Sequence, residues 1–485
     1  MSEKSIKKNY LYNLAYQILT IITPLITAPY ISRVLGADGV GTVSYVESVV
    51  TYFTTFAIVG IVTYGQREIS YVQDSPCKRS IVFWNAKIFE VFSSSIMLAV
   101  YLVFSYHQSN RILYIIYTLY LINVIADVSW FFQGMEEFGI IVVRNIIIKI
   151  VNILYIFVVV KDKEDIYKYA FGIAFFTTLA SISLWLKLPR YLVKISKSDL
   201  HPFKNFKTIL SLFIPTIAIQ IYTVLDKTMI GVITKDSFEN GYYEQAIRIS
   251  RMVLTIVTAL GTVMIPRIGY YFEQKEEGKI QSLMYRGYRF VWFLGIPLCF
   301  GLITVSSNFV PWFFGEGYDA VVILLRILAF LILAIGISNV TGMQYLIPTK
   351  RQNVFTFTVM LGACVNLLLN FFLIRKYSSA GAAFSSIFAE AVITCVQLII
   401  IRKELSPLRV LKEGTNYFLA GMVMALVLWS ISPLLPPSII STLFMVGVGI
   451  LIYFGILLII KDEFLISNMS QVMTKIRTTV FLKDV

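Results

Sequence analysis

Four basic side chains lie inside long apolar stretches in the second half of the sequence, where a charge needs a partner or a water-filled surrounding. They are Lys227, Arg248, Arg251 and Arg326. Arg248 and Arg251 are one helical turn apart, and two guanidinium groups at this spacing suit the forked hydrogen bonds of a phosphate or pyrophosphate. With Glu244 nearby, the group still keeps a positive excess. The pattern therefore predicts a binding site for an anionic substrate.

A structural interpretation of the same residues is also open. Glu244 and Arg248 are spaced as an intrahelical ion pair, and Arg251 could extend its side chain towards the membrane surface. We favour binding, because placing charge within a membrane is costly enough to require a reason.

Further polar residues recur at helical spacing around this group. Gln220 and Lys227 share a face of one predicted helix, and Glu244 begins the polar face of the next. In the first half of the chain, Ser44 and Ser48 occupy the corresponding face. The pattern predicts a central polar cavity lined by predicted helices 1, 2, 7 and 8.

Three carboxylates in predicted spans are candidates for coupling transport to a proton or a sodium ion. They are Asp127, Asp226 and Glu390. Acidic side chains within spans commonly mark such ion pathways. Interhelical hydrogen bonds or ion pairs are the alternative explanation.

The sequence has no recognisable metal-binding, cysteine-pair or nucleotide-binding motif. The four cysteines have no CxxC spacing, and the two histidines, His107 and His201, form no cluster with metal-ligand spacing. A GxxxxGK phosphate loop is absent, so the chain carries no nucleotide-driven motor of this type. We expect no cofactor, no metal and no catalytic residue.

The elements that position these residues are membrane-spanning helices. The composition is 57% hydrophobic and only 14% charged, which a water-soluble domain of this length could not bury. Apolar runs long enough to cross a bilayer core of about 30 Å recur along the chain and predict an all-α polytopic membrane protein with about fourteen spans. We place them near residues 10–32, 40–64, 79–105, 111–133, 138–160, 167–188, 208–233, 242–266, 286–308, 318–344, 352–374, 381–402, 414–434 and 439–461.

The net charge of +14 reflects membrane orientation and does not indicate nucleic-acid binding. Roughly 28 Lys and Arg residues lie in the predicted loops on the side of Met1, against roughly 9 on the opposite side. Basic loops face the cytoplasm, so both termini are predicted to be cytoplasmic. Nucleic acid is excluded as a partner, because no soluble domain is present to bind it.

The two halves of the sequence resemble internal copies. Gly41 and Gly241 each open a predicted helix, and Arg67 and Arg267 follow them at the same interval. This predicts an amino-terminal six-helix lobe (1–188), a cytoplasmic linker (189–207), a second six-helix lobe (208–402) and a final region with helices 13 and 14 and a cytoplasmic tail (403–485). Each copy has an even number of spans, so their pseudo-two-fold axis is predicted to run along the membrane normal.

Several segments are similar to one family, the bacterial polysaccharide flippases of the Wzx type, which transport O-antigen or capsule repeat units. The matching segments are Tyr30–Gly41, Gly60–Glu68, Asp127–Glu136 followed by Arg144, Asn145 and Lys149, Leu225–Gly231, Gly241–Ala246, and Gly381–Ala383 with Glu390. Arg33, in the first of them, joins the substrate-binding candidates.

The resemblance implies the multidrug/oligosaccharidyl-lipid/polysaccharide exporter fold and transport by alternating access in the bacterial inner membrane. It implies an undecaprenyl-pyrophosphate-linked oligosaccharide as substrate, moved from the cytoplasmic to the outer leaflet. Membrane lipid, a polysaccharide polymerase and a chain-length regulator are the partners it implies. Helices 13 and 14, which form a lipid groove in related flippases, carry no charge between Tyr417 and Ile460 here.

Two other functions compete with this interpretation. A multidrug or organic-cation exporter of the same fold should have an acidic site, whereas the predicted group is basic. A membrane polymerase or glycosyltransferase should have a sizeable outer loop or paired acids near an interface, and the predicted outer loops are short. We therefore expect a transporter and not an enzyme.

Overall fold

The computed structural model describes residues 3–259 and 261–470, with side chains throughout except those of residues 3–18, 21, 214–216, 218, 219, 221, 222, 262 and 263. Every regular element in these ranges is a helix, which confirms the all-α prediction. The chain forms two compact units, Met1–Glu244 and Gln245–Val485. The lobe boundaries predicted from the repeat differ from this division and remain a prediction.

The first unit contains eight helices and the start of a ninth. They are α1 (Glu3–Ile58), α2 (Ile61–Tyr71), α3 (Pro76–Tyr106), α4 (Arg111–Ala126), α5 (Ser129–Gly134), α6 (Phe138–Val159), α7 (Ile166–Leu184), α8 (Phe206–Thr234) and the first turns of α9 (Ser237–Thr258).

The second unit contains the rest of α9 and the helices that follow it. They are α10 (Gly261–Glu273), α11 (Glu277–Phe314), α12 (Asp319–Leu328), α13 (Phe330–Thr341), α14 (Gln352–Ile400), α15 (Pro407–Lys412), α16 (Thr415–Ile431) and α17 (Ile439–Ile459). Residues 463–470 form a further short helix.

Ten helical segments among the described residues are long and apolar enough to cross a membrane. Two of them, Ile22–Tyr71 and Gln352–Ile400, have 50 and 49 residues. At 1.5 Å per residue each extends about 75 Å, which is enough helix for two crossings. Two predicted spans have counterparts outside these ten segments. The span 208–233 corresponds to α8, and the span 242–266 corresponds to α9 together with α10. Each predicted span thus has a helical counterpart.

Backbone breaks separate the paired crossings where the sequence predicts loops. Gly36, between predicted helices 1 and 2, has φ 69° and ψ 176°, a conformation that glycine adopts without steric cost. Ser378, between predicted helices 11 and 12, has φ 49°. Both breaks agree with the predicted boundaries.

Three predicted helices are interrupted in the structure. Predicted helix 4 breaks between Ala126 and Ser129, and predicted helix 10 divides into α12, α13 and a π-helical segment, Gly342–Leu346. Predicted helix 2 breaks between Ile58 and Ile61, where Val59 and Gly60 have positive φ. Hydropathy did not show these breaks, because the residues around them are as apolar as an uninterrupted span.

The last two helices pack against α11 within the second unit. Met424 of α16 and Met445 of α17 are buried in one apolar cluster with Ile296 of α11. Tyr453 donates a hydrogen bond of 2.9 Å to the carbonyl of Phe293. Helices 13 and 14 of the sequence are therefore an integral part of the second unit.

We predict that both termini face the cytoplasm, and two loop positions test this by thiol labelling. Cys77, at the start of α3, is predicted to be cytoplasmic, whereas Gln108, in the loop after α3, is predicted to be external. Each position is tested in a protein whose other cysteines are replaced. An impermeant maleimide should label Gln108→Cys in intact cells, and it should label Cys77 only after permeabilisation. The opposite pattern would reverse the orientation.

Candidate functional site

A buried ion pair connects α8 and α9 in the first unit. The Lys227 Nζ lies 2.5 Å from Glu244 Oε2, and their side chains are 18% and 10% exposed. Ser44 of α1 donates a 2.9 Å hydrogen bond to the same carboxylate oxygen. Lys227, Glu244 and Ser44 thus form a three-helix contact, which we call the lysine–glutamate bridge.

Two further polar contacts surround this bridge. The Tyr243 hydroxyl donates to Asp226 Oδ2 at 2.5 Å, and both residues are buried. The hydroxyls of Ser48 and Thr228 are 2.9 Å apart. Ser44, Lys227 and Glu244 of the predicted polar faces are therefore in packed contact. The central polar cavity lined by predicted helices 1, 2, 7 and 8 remains a prediction.

The helices at this end of the first unit approach each other without room for side chains. A Cβ on Gly41 would lie 1.7 Å from the Ser237 carbonyl oxygen, and one on Gly241 would lie 2.0 Å from the Ala37 oxygen. Real Cβ contacts do not occur at such distances, so only glycine allows this packing. Ser237 also donates a hydrogen bond to Asp38. In this structure, α1 and the start of α9 are therefore in close backbone contact.

The other predicted substrate residues differ in their surroundings. Gln220 and Arg33 have exposed side chains in the first unit. Arg248 is half-buried and Arg251 is exposed, and both belong to the part of α9 in the second unit. In the sequence, the polar faces of predicted helices 7 and 8 also include Thr216 and Thr262, and both side chains lie outside the described ones.

Arg326 has local partners within the second unit. Its guanidinium carbon lies 5.0 Å from the centre of the Trp429 ring of α16, and its Nε is 3.3 Å from the Ile303 carbonyl oxygen. Stacking on an aromatic face stabilises a guanidinium in an apolar setting. These are local partners that the sequence did not indicate, and a part for Arg326 in substrate binding beside Lys227, Arg248 and Arg251 remains a prediction.

Among the ion-coupling candidates, Asp127 has a clear local role. Its carboxylate accepts hydrogen bonds from the backbone N–H of Ser129 at 3.0 Å and from the Ser129 hydroxyl at 2.7 Å. These bonds satisfy donors that the interruption between α4 and α5 exposes. Glu390 of α14 is 7% exposed and accepts a 3.4 Å contact from the Ser338 hydroxyl of α13.

An ion pair whose role the sequence did not indicate is buried within the first unit. Lys87 Nζ donates to Glu90 Oε2 at 2.8 Å and to the backbone carbonyl of Asp127 at 2.7 Å. The two side chains are only 2% and 1% exposed. The signal was present in the sequence as opposite charges three residues apart within an apolar run. The pair joins α3 to the interruption after α4.

We predict that Glu90→Gln destabilises the protein by about 3–5 kcal/mol, because it leaves the Lys87 ammonium buried without its counter-charge. The double variant Lys87→Met with Glu90→Leu should recover most of this loss, since it removes both charges together. Thermal unfolding of purified protein in detergent measures both effects. Equal destabilisation by the single and double variants would show that the residues matter through packing and not through charge.

No group of three or more His, Cys, Asp or Glu side chains that could hold a metal ion occurs among the residues described. The lysine–glutamate bridge supplies a cation and hydrogen-bonding groups, which can recognise an anionic ligand.

The chain is similar in sequence to known proteins. The family model described as "Polysaccharide biosynthesis protein" matches residues 6–272. A "Putative O-antigen transporter" of Escherichia coli (strain K12) is 24% identical over 410 residues, which are 82% of this chain and 97% of that protein.

Solved structures show a similar fold. The lipid II flippase MurJ, in an inward closed conformation, superposes with a TM-score of 0.69 at 16% identity and covers 94% of this chain and 99% of that one. A multidrug resistance transporter of the MATE family, in an inward-facing conformation, has a TM-score of 0.57 at 12% identity, covering 84% of this chain and 96% of that one. At these identities the likeness establishes the fold alone.

Proposed function

The chain belongs to the polysaccharide biosynthesis protein family, and from this premise we propose that it flips undecaprenyl-pyrophosphate-linked oligosaccharide repeat units from the cytoplasmic to the outer leaflet by alternating access. Membership confirms the resemblance to Wzx-type flippases. The naming of its E. coli relative as an O-antigen transporter supports the substrate class. We place it in the bacterial inner membrane, with a polymerase and a chain-length regulator as expected partners.

The observation that supports this proposal best is the lysine–glutamate bridge. A buried lysine needs an anion, and in this structure Glu244 supplies it at 2.5 Å. A pyrophosphate carries more negative charge than one carboxylate and can therefore compete with Glu244 for Lys227. Arg248 and Arg251 follow Glu244 at helical spacing on α9, and we assign them to the same substrate group.

Replacement of Glu244 by the pyrophosphate as the anion beside Lys227 would couple substrate binding to movement of the helices. Glu244 also accepts the hydrogen bond from Ser44 on α1. Once the pyrophosphate neutralises Lys227, the Glu244 carboxylate is left as a buried charge without its cation, which destabilises the packed arrangement around it. The contact between Ser44 and Glu244 lies within one turn of Gly241, where α9 and α1 are closest. Substrate binding would thereby favour the opening of this packed end, as alternating access requires.

We retain ion coupling as part of the proposal. Asp226 and Glu390 are the buried carboxylates best suited to a proton or a sodium ion. Asp127 is less suited, because it is only half-buried. Dissipating the proton or the sodium gradient separately in the transport assay below would identify the coupling ion.

Reconstituted transport tests the function directly. Purified protein is placed in vesicles that contain an undecaprenyl-pyrophosphate-linked oligosaccharide in both leaflets, and a membrane-impermeant glycosidase is added outside. With active protein, the protected inner fraction should become digestible, whereas protein-free vesicles should retain it. Continued protection in vesicles with correctly folded protein would contradict the proposal.

An organic-cation exporter is the second candidate, favoured by the buried acids Asp226 and Glu244 and by the fold shared with a multidrug transporter. Both acids have donors in this structure, Tyr243 for Asp226 and Lys227 for Glu244. Efflux of a fluorescent organic cation from the same vesicles, without glycan transfer, would favour this alternative.

A further inference from the structure

A cleft of about 360 Å³ opens in the second unit among α10, α11 and the helix 463–470. Arg267 and Arg286 line one part of it, and Phe290, Phe293 and Phe464 line another. Its volume is in the range of small-molecule sites, about 300–1,000 Å³. We call it the arginine–phenylalanine cleft. It combines two fixed positive charges with an aromatic wall.

Among the described residues, these two arginines lack acidic partners, in contrast to Arg289 and Arg351 of the same unit. Arg289 forms a 2.6 Å bond from its Nε to Glu413, and Arg351 forms one of 2.6 Å to Glu404. Burial alone would raise the pKa of Glu404, but hydrogen bonds from Arg351 and Tyr345 outweigh it and lower that pKa. Within the described part of the chain, neither Arg267 nor Arg286 has a carboxylate within 4.0 Å.

The internal repeat shows the same contrast between an arginine with an acidic partner and one without. Arg67 corresponds to Arg267 in the register set by Gly41 and Gly241. Arg67 binds the carboxylate of its neighbour Glu68 at 2.8 Å. The residue after Arg267 is Ile268, which is fully buried. The second repeat thus keeps the arginine but replaces its acidic neighbour, which leaves the guanidinium available to an external anion.

The order of charged and aromatic residues along the cleft indicates which kind of anion would bind there. Arg286, Phe290 and Phe293 follow one another at intervals of four and three residues on α11, so they share one face. The charge lies at the end of α11 that the sequence places at the membrane surface, and the phenylalanines lie further into the predicted span. Phe464 packs on Phe293 with ring centres 5.3 Å apart and extends this apolar wall.

We propose that the arginine–phenylalanine cleft binds a phosphate-bearing membrane lipid, with the phosphate on Arg267 and Arg286 and the hydrocarbon chain along Phe290 and Phe293. Two guanidinium groups can form forked hydrogen bonds with phosphate oxygens. Basic pockets between membrane helices on the cytoplasmic side suit lipid headgroups for this reason. A soluble phosphate would not use the aromatic wall.

The lipid has two possible sources that share this chemistry. One is an anionic phospholipid of the surrounding bilayer. The other is the polyprenyl-pyrophosphate carrier, in which case the site would receive substrate from the leaflet, and this second assignment depends on the proposed function. Binding measurements separate the two sources without requiring transport, so the lipid site and the flippase activity can fail independently.

The test uses native mass spectrometry of the full-length protein with four added probes. They are phosphatidylglycerol, undecaprenyl pyrophosphate, diacylglycerol and inorganic pyrophosphate. Either of the first two should bind at least tenfold more tightly than diacylglycerol, which has no phosphate, and than inorganic pyrophosphate, which has no chain. Preference for undecaprenyl pyrophosphate identifies the carrier as ligand, and preference for phosphatidylglycerol identifies the bilayer lipid.

Variants assign the binding to the cleft. Arg267→Gln and Arg286→Gln should each weaken lipid binding about tenfold, which corresponds to the loss of one charge-assisted contact. Arg402→Gln is the matched control, because Arg402 is an exposed arginine of the same unit that does not line the cleft. Elution volume in size-exclusion chromatography checks that each variant is folded. Unchanged binding in the double variant Arg267→Gln with Arg286→Gln, or equal binding of diacylglycerol, would overturn the proposal.

Discussion

Replacing Arg248 or Arg251 by alanine is expected to abolish glycan transfer with little loss of protein from the membrane. Each change removes a guanidinium from the proposed pyrophosphate group, and a charge-assisted hydrogen bond in a low-dielectric surrounding is worth about 1.5–3 kcal/mol. Two such contacts to one diphosphate act together, so the loss of either should reduce transport more than tenfold. The vesicle glycosidase assay measures the rate, and immunoblotting of membranes measures the amount of protein.

Conservative and distant substitutions serve as controls for this result. Arg248→Lys should rescue transport only in part, because an ammonium keeps the charge but lacks the planar fork. Lys475→Ala, at a position outside the described residues, should leave transport unchanged. Normal transport by both Arg248→Ala and Arg251→Ala would mean that these charges are structural, and the substrate group would then have to be sought elsewhere.

Adding a single methyl group at Gly41 or Gly241 is expected to cause a similarly severe loss of transport. A Cβ at these positions would lie 1.7 Å or 2.0 Å from a backbone oxygen of the facing helix. Backbone atoms cannot move aside as a flexible side chain can, so the helices must separate. Overpacking of this kind costs about 1–3 kcal/mol per site, which would disfavour the packed arrangement by roughly 5- to 150-fold.

The same change should expose the lysine–glutamate bridge at this end. In a Gly41→Ala background, a cysteine introduced at Ser44, which is 2% exposed in this structure, should react faster with an impermeant thiol reagent. Gly455→Ala in α17 is the matched control, since its added Cβ would meet nothing within 4 Å. In the Gly455→Ala variant, both the transport rate and the labelling rate should match those of the parent protein. Unimpaired transport by the double variant Gly41→Ala with Gly241→Ala would show that this contact is not part of the cycle.

Several features could be read from the sequence because they depend on local composition. Apolar runs predict helices wherever the backbone must satisfy its own hydrogen bonds in lipid. This reasoning located the helical spans and the breaks near Gly36 and Ser378. The unusual cost of charge within such runs also identified Lys227, Glu244 and Arg248 as residues needing an explanation.

Only the tertiary structure determined which partners those charges have. Spacing along α9 suggested Arg248 as the partner of Glu244, whereas the structure also places Lys227 of another helix 2.5 Å away. For the substrate candidate Arg326, the structure adds a contact that its spacing could not show: Trp429, distant in sequence, lies over its guanidinium. Helical periodicity gives the face on which a side chain lies, and contacts between distant segments determine what that face meets.

The sequence by itself therefore determined that this protein is a helical membrane transporter of polysaccharide biosynthesis, through its hydropathy and its family motifs. The tertiary structure alone decided the close packing at Gly41 and Gly241, the hydrogen bond from Lys87 to the Asp127 carbonyl and the arginine–phenylalanine cleft. The physical reason is that hydropathy is a sum over neighbouring residues, whereas each of these features depends on a distance between helices. For example, Phe464 reaches Phe293 only because the segment after α17 folds back on α11.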